Sequence, residues 1–110
     1  QQHSYRTERV NELMRRELVL LLKQEIKDPR LKQVVITDVI VSRDLTSAKV
    51  FFSVDADSNK IVVSLLNKAS GFFRSSLSKT LDLRHTPTLS FIYDTTPNTG
   101  ARIDDLLSKL

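Results

Sequence analysis

Apolar residues along this chain switch repeatedly between a helical and an extended spacing, and that alternation leaves few folds open. Val10, Met14, Leu18, Leu21 and Leu22 share one helical stripe, predicting a helix from about Arg6 to Lys27. Pro29 in "IKDPRL" is expected to end it, because the residue before a proline is pushed out of the α region. Period two takes over in "QVVITDVIVSRD", where Val35, Thr37, Val39 and Val41 alternate with Ile36, Asp38, Ile40 and Ser42. Residues 43–47 read as a turn. The returning strand, 48–54, places Ala48, Val50, Phe52 and Val54 on one face. After a polar loop that offers Ser58 or Asn59 as a helix cap, residues 60–81 return to helical spacing through Val62, Leu66, Ala69, Phe73 and Leu77. A third strand is expected over 88–93, with Leu89, Phe91 and Tyr93 on one face. A short last helix is expected from about Ala101 to Lys109, carrying Ile103, Leu106 and Leu107, with Leu110 just beyond.

The predicted order is therefore α-β-β-α-break-α-β-α in one domain over residues 1–110. A three-stranded sheet with its helices gathered on one face, an α+β fold, would bury every one of these stripes. The long connection between the second and third strands permits a crossover.

The break falls in "LNKASGFFRSSLSK", residues 66–79, where Gly71 interrupts a helical pattern in a chain with one other glycine. Glycine inside a helix costs about 1 kcal/mol relative to alanine, so a purpose is expected. A helix starting near Gly71 would bare the backbone of Ser70 and Gly71 and aim N–H groups outward, which suits a phosphate. If helical phase carries through the break, Lys68, Phe72, Ser75 and Lys79 form a stripe well away from the apolar face. That stripe supplies cations, a hydroxyl and an aromatic ring on which a base can stack.

Charge supports this reading. The formal net charge is +4, concentrated in residues 1–33 and in residues 60–84, where five lysines and arginines face one acid. Clustered positive charge attracts polyanions. The longest apolar run, "LVLLL" at 18–22, is far short of the roughly 20 residues that span a bilayer. With no cysteine and no apolar export segment at the start, a cytoplasmic protein with no membrane partner is expected.

Signs of catalysis are weak. Gly71 and Gly100 are too far apart for a phosphate loop, and no HExxH, GxSxG or CxxC occurs. Asp104 and Asp105 diverge on a helix, and Asp55 and Asp57 sit in a loop. Asp28 reads as a helix-terminating turn residue. His3 lies near a fraying terminus, and His85, beside Thr86 and Pro87, reads as a structural or surface residue. Neither an enzyme nor a cofactor or metal site is expected.

The order of elements matches a type II KH domain, in which a nucleic-acid clamp lies between two central helices. The usual clamp is Gly-x-x-Gly, and Lys68-Ala69-Ser70-Gly71 supplies only the last glycine. The sequence more specifically resembles the bacterial ribosome-binding factor A family, KH-like proteins with an Ala-x-Gly helix–kink–helix in place of the glycine pair. The resemblance rests on "RTERVNELMRREL" in the first helix, on "IKDPRL" at 26–31 and on "VSRDLTSAKVFFS" across the hairpin. It continues through "NKASGFFRSSL" at the kink and "LDLRHTPTLSFIYD" into the last strand.

The resemblance implies a non-enzymatic, monomeric assembly factor that binds the small ribosomal subunit and its 16S rRNA late in maturation. It further implies support for 5′-end processing of the precursor, importance at low temperature, and release linked to a maturation GTPase. Carried over residue by residue, the kink maps to Ala69, Ser70 and Gly71, with Lys68, Arg74 and Lys79 as phosphate contacts beside Phe72 and Ser75. Arg43 in the hairpin turn and Arg84 before the third strand are further RNA-binding candidates. So are Arg30 and Lys32 after the proline, and Arg9, Arg16 and Lys23 along the first helix. The competing expectation is a small basic protein–protein adaptor whose charges serve solubility.

Overall fold

The computed structural model describes residues 5–81 and 85–95. His3, Arg84 and the helix expected near 101–109 lie outside the described residues. The elements run α1 (Tyr5–Gln24), α2 (Pro29–Lys32), β1 (Val35–Val41), β2 (Ser47–Ser53), a 3-10 turn (Ala56–Ser58), α3 (Asn59–Lys68), α4 (Ser70–Thr80) and β3 (Thr88–Tyr93).

α1 buries Val10, Met14, Leu18 and Leu22, with Leu21 half-buried beside them. It stops at Gln24, short of Lys27, and Pro29 acts differently from expectation. Rather than ending α1, Pro29 opens α2, where its missing N–H would have had no helical partner. Asp28 is the cap of this new helix: its Oδ1 accepts the Arg30 N–H at 2.9 Å. The Lys32 ammonium donates to the Lys23 carbonyl at 2.6 Å, satisfying one of the carbonyls that the end of α1 leaves without a helical partner.

The sheet order is β1-β2-β3, with β1 antiparallel and β3 parallel to β2. A parallel neighbour requires a crossover, and α3 with α4 supplies it. Val39, Val50 and Phe91 line up across the three strands, as do Val41, Ala48 and Leu89. All six are buried, and the helices pack on this face. Strict alternation fails in β1. Ile36 pairs with Phe52 and Asp38 with Phe51, so Thr37 is an extra residue, a β-bulge. The bulge turns Ile36 inward with Val39 and Val41 and leaves Val35 59% exposed. The freed Thr37 hydroxyl donates to Asp94 Oδ2 at 2.7 Å.

Both sheet edges are closed by asparagines from helices. The outward N–H of Val41 donates to Asn11 Oδ1 of α1 at 2.8 Å. On the far edge, Phe91 donates its N–H to Asn67 Oδ1 at 3.0 Å and accepts from Asn67 Nδ2 at 3.1 Å. Unpaired strand edges invite association with other chains, and these side chains occupy donors and acceptors that would mediate it.

The β1–β2 turn holds Leu45 at φ 63°, a left-handed conformation that costs a non-glycine residue roughly 1–2 kcal/mol. Two features offset that cost: Leu45 packs against the core, and Asp44 Oδ1 accepts from the hydroxyls of Ser42 and Thr46 at 2.7 and 2.8 Å. Ser58 stands at the expected cap of α3 but makes no side-chain capping bond. Its backbone, at φ −98° and ψ −5°, already continues the 3-10 turn, whereas a capping side chain needs an extended backbone.

The interruption between α3 and α4 lies at Ala69, at φ −90° and ψ 5°. The Ala69 N–H is shared between the carbonyls of Leu65 and Leu66, both at 3.1 Å. Gly71 is an ordinary helical residue in the first turn of α4 without positive φ. The expected break is therefore real, but glycine does not make it. Val62 and Leu66 before the junction, and Phe73 and Leu77 after it, are all fully buried at 0% exposure, so the kink keeps one continuous apolar face on the sheet.

Candidate nucleic-acid interface

Burial of Phe73 and Leu77 fixes the rotation of α4 and turns its other faces to solvent. Gly71, Arg74, Ser75 and Ser78 recur at steps of three and four, so they form one wall of a cleft. His85 and Thr86, in the segment entering β3, form the opposite wall of this open cleft of about 390 Å³. Arg74 ties the walls together: its Nε donates to the Thr86 carbonyl at 3.0 Å. That bond fixes the guanidinium while leaving its two terminal amino groups for a bidentate phosphate contact. The cleft has no carboxylate among its lining residues, and hydroxyls, an imidazole and the bare backbone at Gly71 complete its donors.

Ser75 is shared with the adjacent stripe predicted from the sequence. Lys68, Phe72, Ser75 and Lys79 are all exposed. Phe72 is 43% exposed, and its ring sits edge-on to Phe73 with centroids 5.5 Å apart. A ring anchored from below with surface left open is suited to stacking a base. Ala69 and Ser70 are half-buried at the kink, where they shape the junction. The main-chain atoms at the start of α4 have no side-chain cap.

The remaining candidates separate to the two ends of the sheet. Arg43 is exposed in the β1–β2 turn, and that turn meets the start of β3, since Thr46 O accepts the Thr88 N–H at 3.0 Å. Arg43 therefore stands at the cleft end. Asn11 bonds the last residue of β1, which brings the start of α1, with exposed Arg9, to the same end. Lys23, Arg30 and Lys32 are exposed at the opposite end, and Arg16 lies between. Arg30 is engaged with Asp28 through Nε to Oδ1 at 3.1 Å and NH2 to Oδ2 at 2.9 Å. These side-chain bonds, with the Arg30 N–H behind them, hold the Asp28 carboxyl below the ordinary carboxylate range and the guanidinium above its own. Arg84 lies outside the described residues.

Ser78, His85 and Thr86 were not legible as site residues. Ser78 continues the Gly71–Ser75 spacing, a signal available in the sequence; His85 and Thr86 reach the cleft only through the path of the chain into β3. Among the described residues, no group of three or more histidines, cysteines or acids could hold a metal ion. Nor is any described helix long and apolar enough to cross a membrane.

A family model described as ribosome-binding factor A matches residues 6–107. The chain belongs to the ribosome-binding factor A family. A ribosome-binding factor A from Vesicomyosocius okutanii is 66% identical over 110 residues, covering 100% of this chain and 96% of the relative. The crystal structure of ribosome-binding factor A from Thermus thermophilus superposes with a TM-score of 0.71 at 21% identity, covering 79% of this chain and 94% of that one. A homology model of the Thermus thermophilus ribosome-binding factor A, as fitted into the cryo-EM map of a 30S–ribosome-binding factor A complex, gives a TM-score of 0.62 at 21% identity, covering 74% of this chain and 88% of that one. The α+β fold with its three-stranded sheet is thus a ribosome-binding factor A fold.

Proposed function

We propose that this chain is a non-enzymatic assembly factor that binds the small ribosomal subunit through 16S rRNA, using the cleft and kink of α4 as its main contact. The observation that carries the reading is the Arg74-braced cleft beside exposed Phe72, Lys68 and Lys79, in a chain of the ribosome-binding factor A family. A relative whose coordinates were fitted into a 30S complex supports the choice of partner. Phosphates would lie against Arg74, Lys68 and Lys79, and an unstacked base against Phe72; recognition of single-stranded or irregular RNA follows from that mixture. Arg43 and Arg9 extend the cation field along the same end of the sheet.

Within this reading the protein acts in the cytoplasm as a monomer. It holds an immature rRNA conformation, supports 5′-end processing of the precursor, matters most in the cold, and leaves with the help of a maturation GTPase. The test is co-sedimentation with precursor and mature small subunits over a range of salt concentrations. Binding that weakens steeply with salt, and that is lost in the Lys68→Glu/Arg74→Glu variant, is the expected outcome. Failure to bind either subunit at low salt would overturn the proposal.

A further inference from the structure

Among the described residues lining the cleft, Arg74 and His85 are the only two with ionisable side chains, and they stand on opposite walls. Each wall is held from behind. Arg74 belongs to α4, whose rotation is fixed by fully buried Phe73 and Leu77. The chain just after His85 is pinned at three successive residues. The Thr86 carbonyl accepts from Arg74 Nε at 3.0 Å, Pro87 is fully buried, and the Thr88 N–H donates to the Thr46 carbonyl at 3.0 Å. His85 itself is exposed, and its imidazole makes no hydrogen bond or ion pair with a described residue. A free imidazole thus faces a braced guanidinium across a gap lined with hydroxyls.

We infer that His85 is the second phosphate ligand of the cleft and binds in its imidazolium form opposite Arg74, so that RNA binding draws a proton from solvent. The inference rests on the proposal that RNA occupies this cleft, and adds what the other wall contributes. An imidazole ordinarily titrates at about pH 6.5, so a neighbouring charge decides its state near neutrality. In the empty cleft a second positive charge opposite the guanidinium is unfavourable. A phosphate between the two walls reverses that, because an opposite charge favours the ionised form. The imidazolium also offers two N–H donors where the neutral ring offers one. The charges around His85 leave this role to the ligand. α3 and α4 bring Lys68, Arg74 and Lys79. The hairpin turn brings Arg43 and Asp44, and the Asp44 carboxylate is engaged by the hydroxyls of Ser42 and Thr46 at 2.7 and 2.8 Å. Asp82 and Arg84, just before His85 in the sequence, offset each other in charge. No carboxylate is among the described residues lining the cleft, so an incoming phosphate is the anion that stabilises an imidazolium there. Phosphodiesters stay ionised across neutral pH, and the proton taken up therefore lands on the ring.

The test is co-sedimentation of the full chain with small ribosomal subunits across neutral pH at one salt concentration, comparing wild type with His85→Gln and His85→Arg. Glutamine keeps a hydrogen-bond donor without the charge, and arginine carries the charge at every pH. The ratio of wild-type to His85→Gln affinity is expected to rise from about one near pH 8 to roughly three- to tenfold near pH 6. His85→Arg should exceed His85→Gln by a similar factor throughout, a pattern that a residue merely shaping the wall would not give. A ratio that stays constant with pH would overturn the inference, as would a His85→Arg variant no tighter than His85→Gln. The Lys68→Glu/Arg74→Glu variant, run in parallel, separates this failure from that of the cleft as a whole. Binding lost in that variant, with a constant wild-type to His85→Gln ratio, removes His85 alone. Binding unchanged in it removes the cleft, and the role of His85 with it.

Discussion

Asn67 holds Phe91 as a neighbouring strand would, offering its amide oxygen to the N–H and its amide nitrogen to the carbonyl. The same nitrogen lies 3.0 Å from the Val63 carbonyl one turn earlier in α3. One side chain thus links the crossover helix to the outer edge of β3, opposite the Phe91–Val50 pairing. Replacement by leucine keeps the volume roughly and strands both main-chain groups of Phe91 in a part-buried position. Asn67→Leu is expected to lower unfolding free energy by about 1–3 kcal/mol, measured by urea denaturation. A loss below about 0.5 kcal/mol would show that water replaces the amide.

Gly71→Ala separates conformation from contact. No protein atom lies within 4 Å of the position a Cβ would take, and the residue is helical in α4 without positive φ. The substitution is expected to raise stability by about 0.5–1 kcal/mol through helix propensity. Thermal unfolding tests this. If stability rises while RNA affinity falls, the methyl group is meeting RNA in the cleft.

Arg74→Glu removes a bridge and inverts a charge at once, so Arg74→Ala is needed beside it. Loss of the bond to Thr86 should cost about 0.5–1.5 kcal/mol in both variants. Subunit affinity should fall further in the glutamate variant, because it repels phosphate. The dependence of affinity on salt should become shallower in both, as one phosphate contact is lost. Equal affinities for wild type and both variants would remove Arg74 from the interface.

Phe72→Ala should weaken RNA binding by roughly 1–3 kcal/mol if one base stacks on the ring. The loss should persist at high salt, unlike that of the arginine variants, because stacking is not a charge contact. A salt-sensitive loss would argue that Phe72 only positions its neighbours.

Acid should loosen the hairpin turn. Side-chain bonds from Ser42 and then Thr46, with the Thr46 N–H after them, hold the Asp44 carboxyl below its ordinary value. A depressed folded-state value means the stabilisation is present above the unfolded-state value. It is lost as pH falls through the lower, folded-state one. The stability margin of wild type over Asp44→Asn should therefore shrink below about pH 4. A carboxyl titration of Asp44 at or above the ordinary value would contradict the turn geometry.

Much of the fold is visible in apolar spacing alone, because Met14, Leu18, Val62, Leu66, Phe73 and Leu77 are buried by the same periodicities that identify them. β3 matches the range read from the sequence for the same reason. Thr37 was misread because a bulge is a two-against-one pairing, and nothing in β1 by itself reveals what β2 sets opposite it. Pro29 was misread because a proline that stops one helix and a proline that starts the next look alike locally; Asp28 immediately before it was the available clue. At the site, the exposed stripe through Lys68, Phe72 and Lys79 followed from helical phase. The second wall, His85 and Thr86, depends on a contact across the fold that no local pattern contains.

That dependence has a consequence in time. Ser47 pairs with Thr88 in the parallel ladder, so β3 joins the sheet only after residues 48–87 have been synthesised and looped back. Loop closure of that span must precede the pairing that rewards it, and Thr86 reaches Arg74 only when it is done. A nascent chain carrying α4 but not β3 has the cations without the cleft.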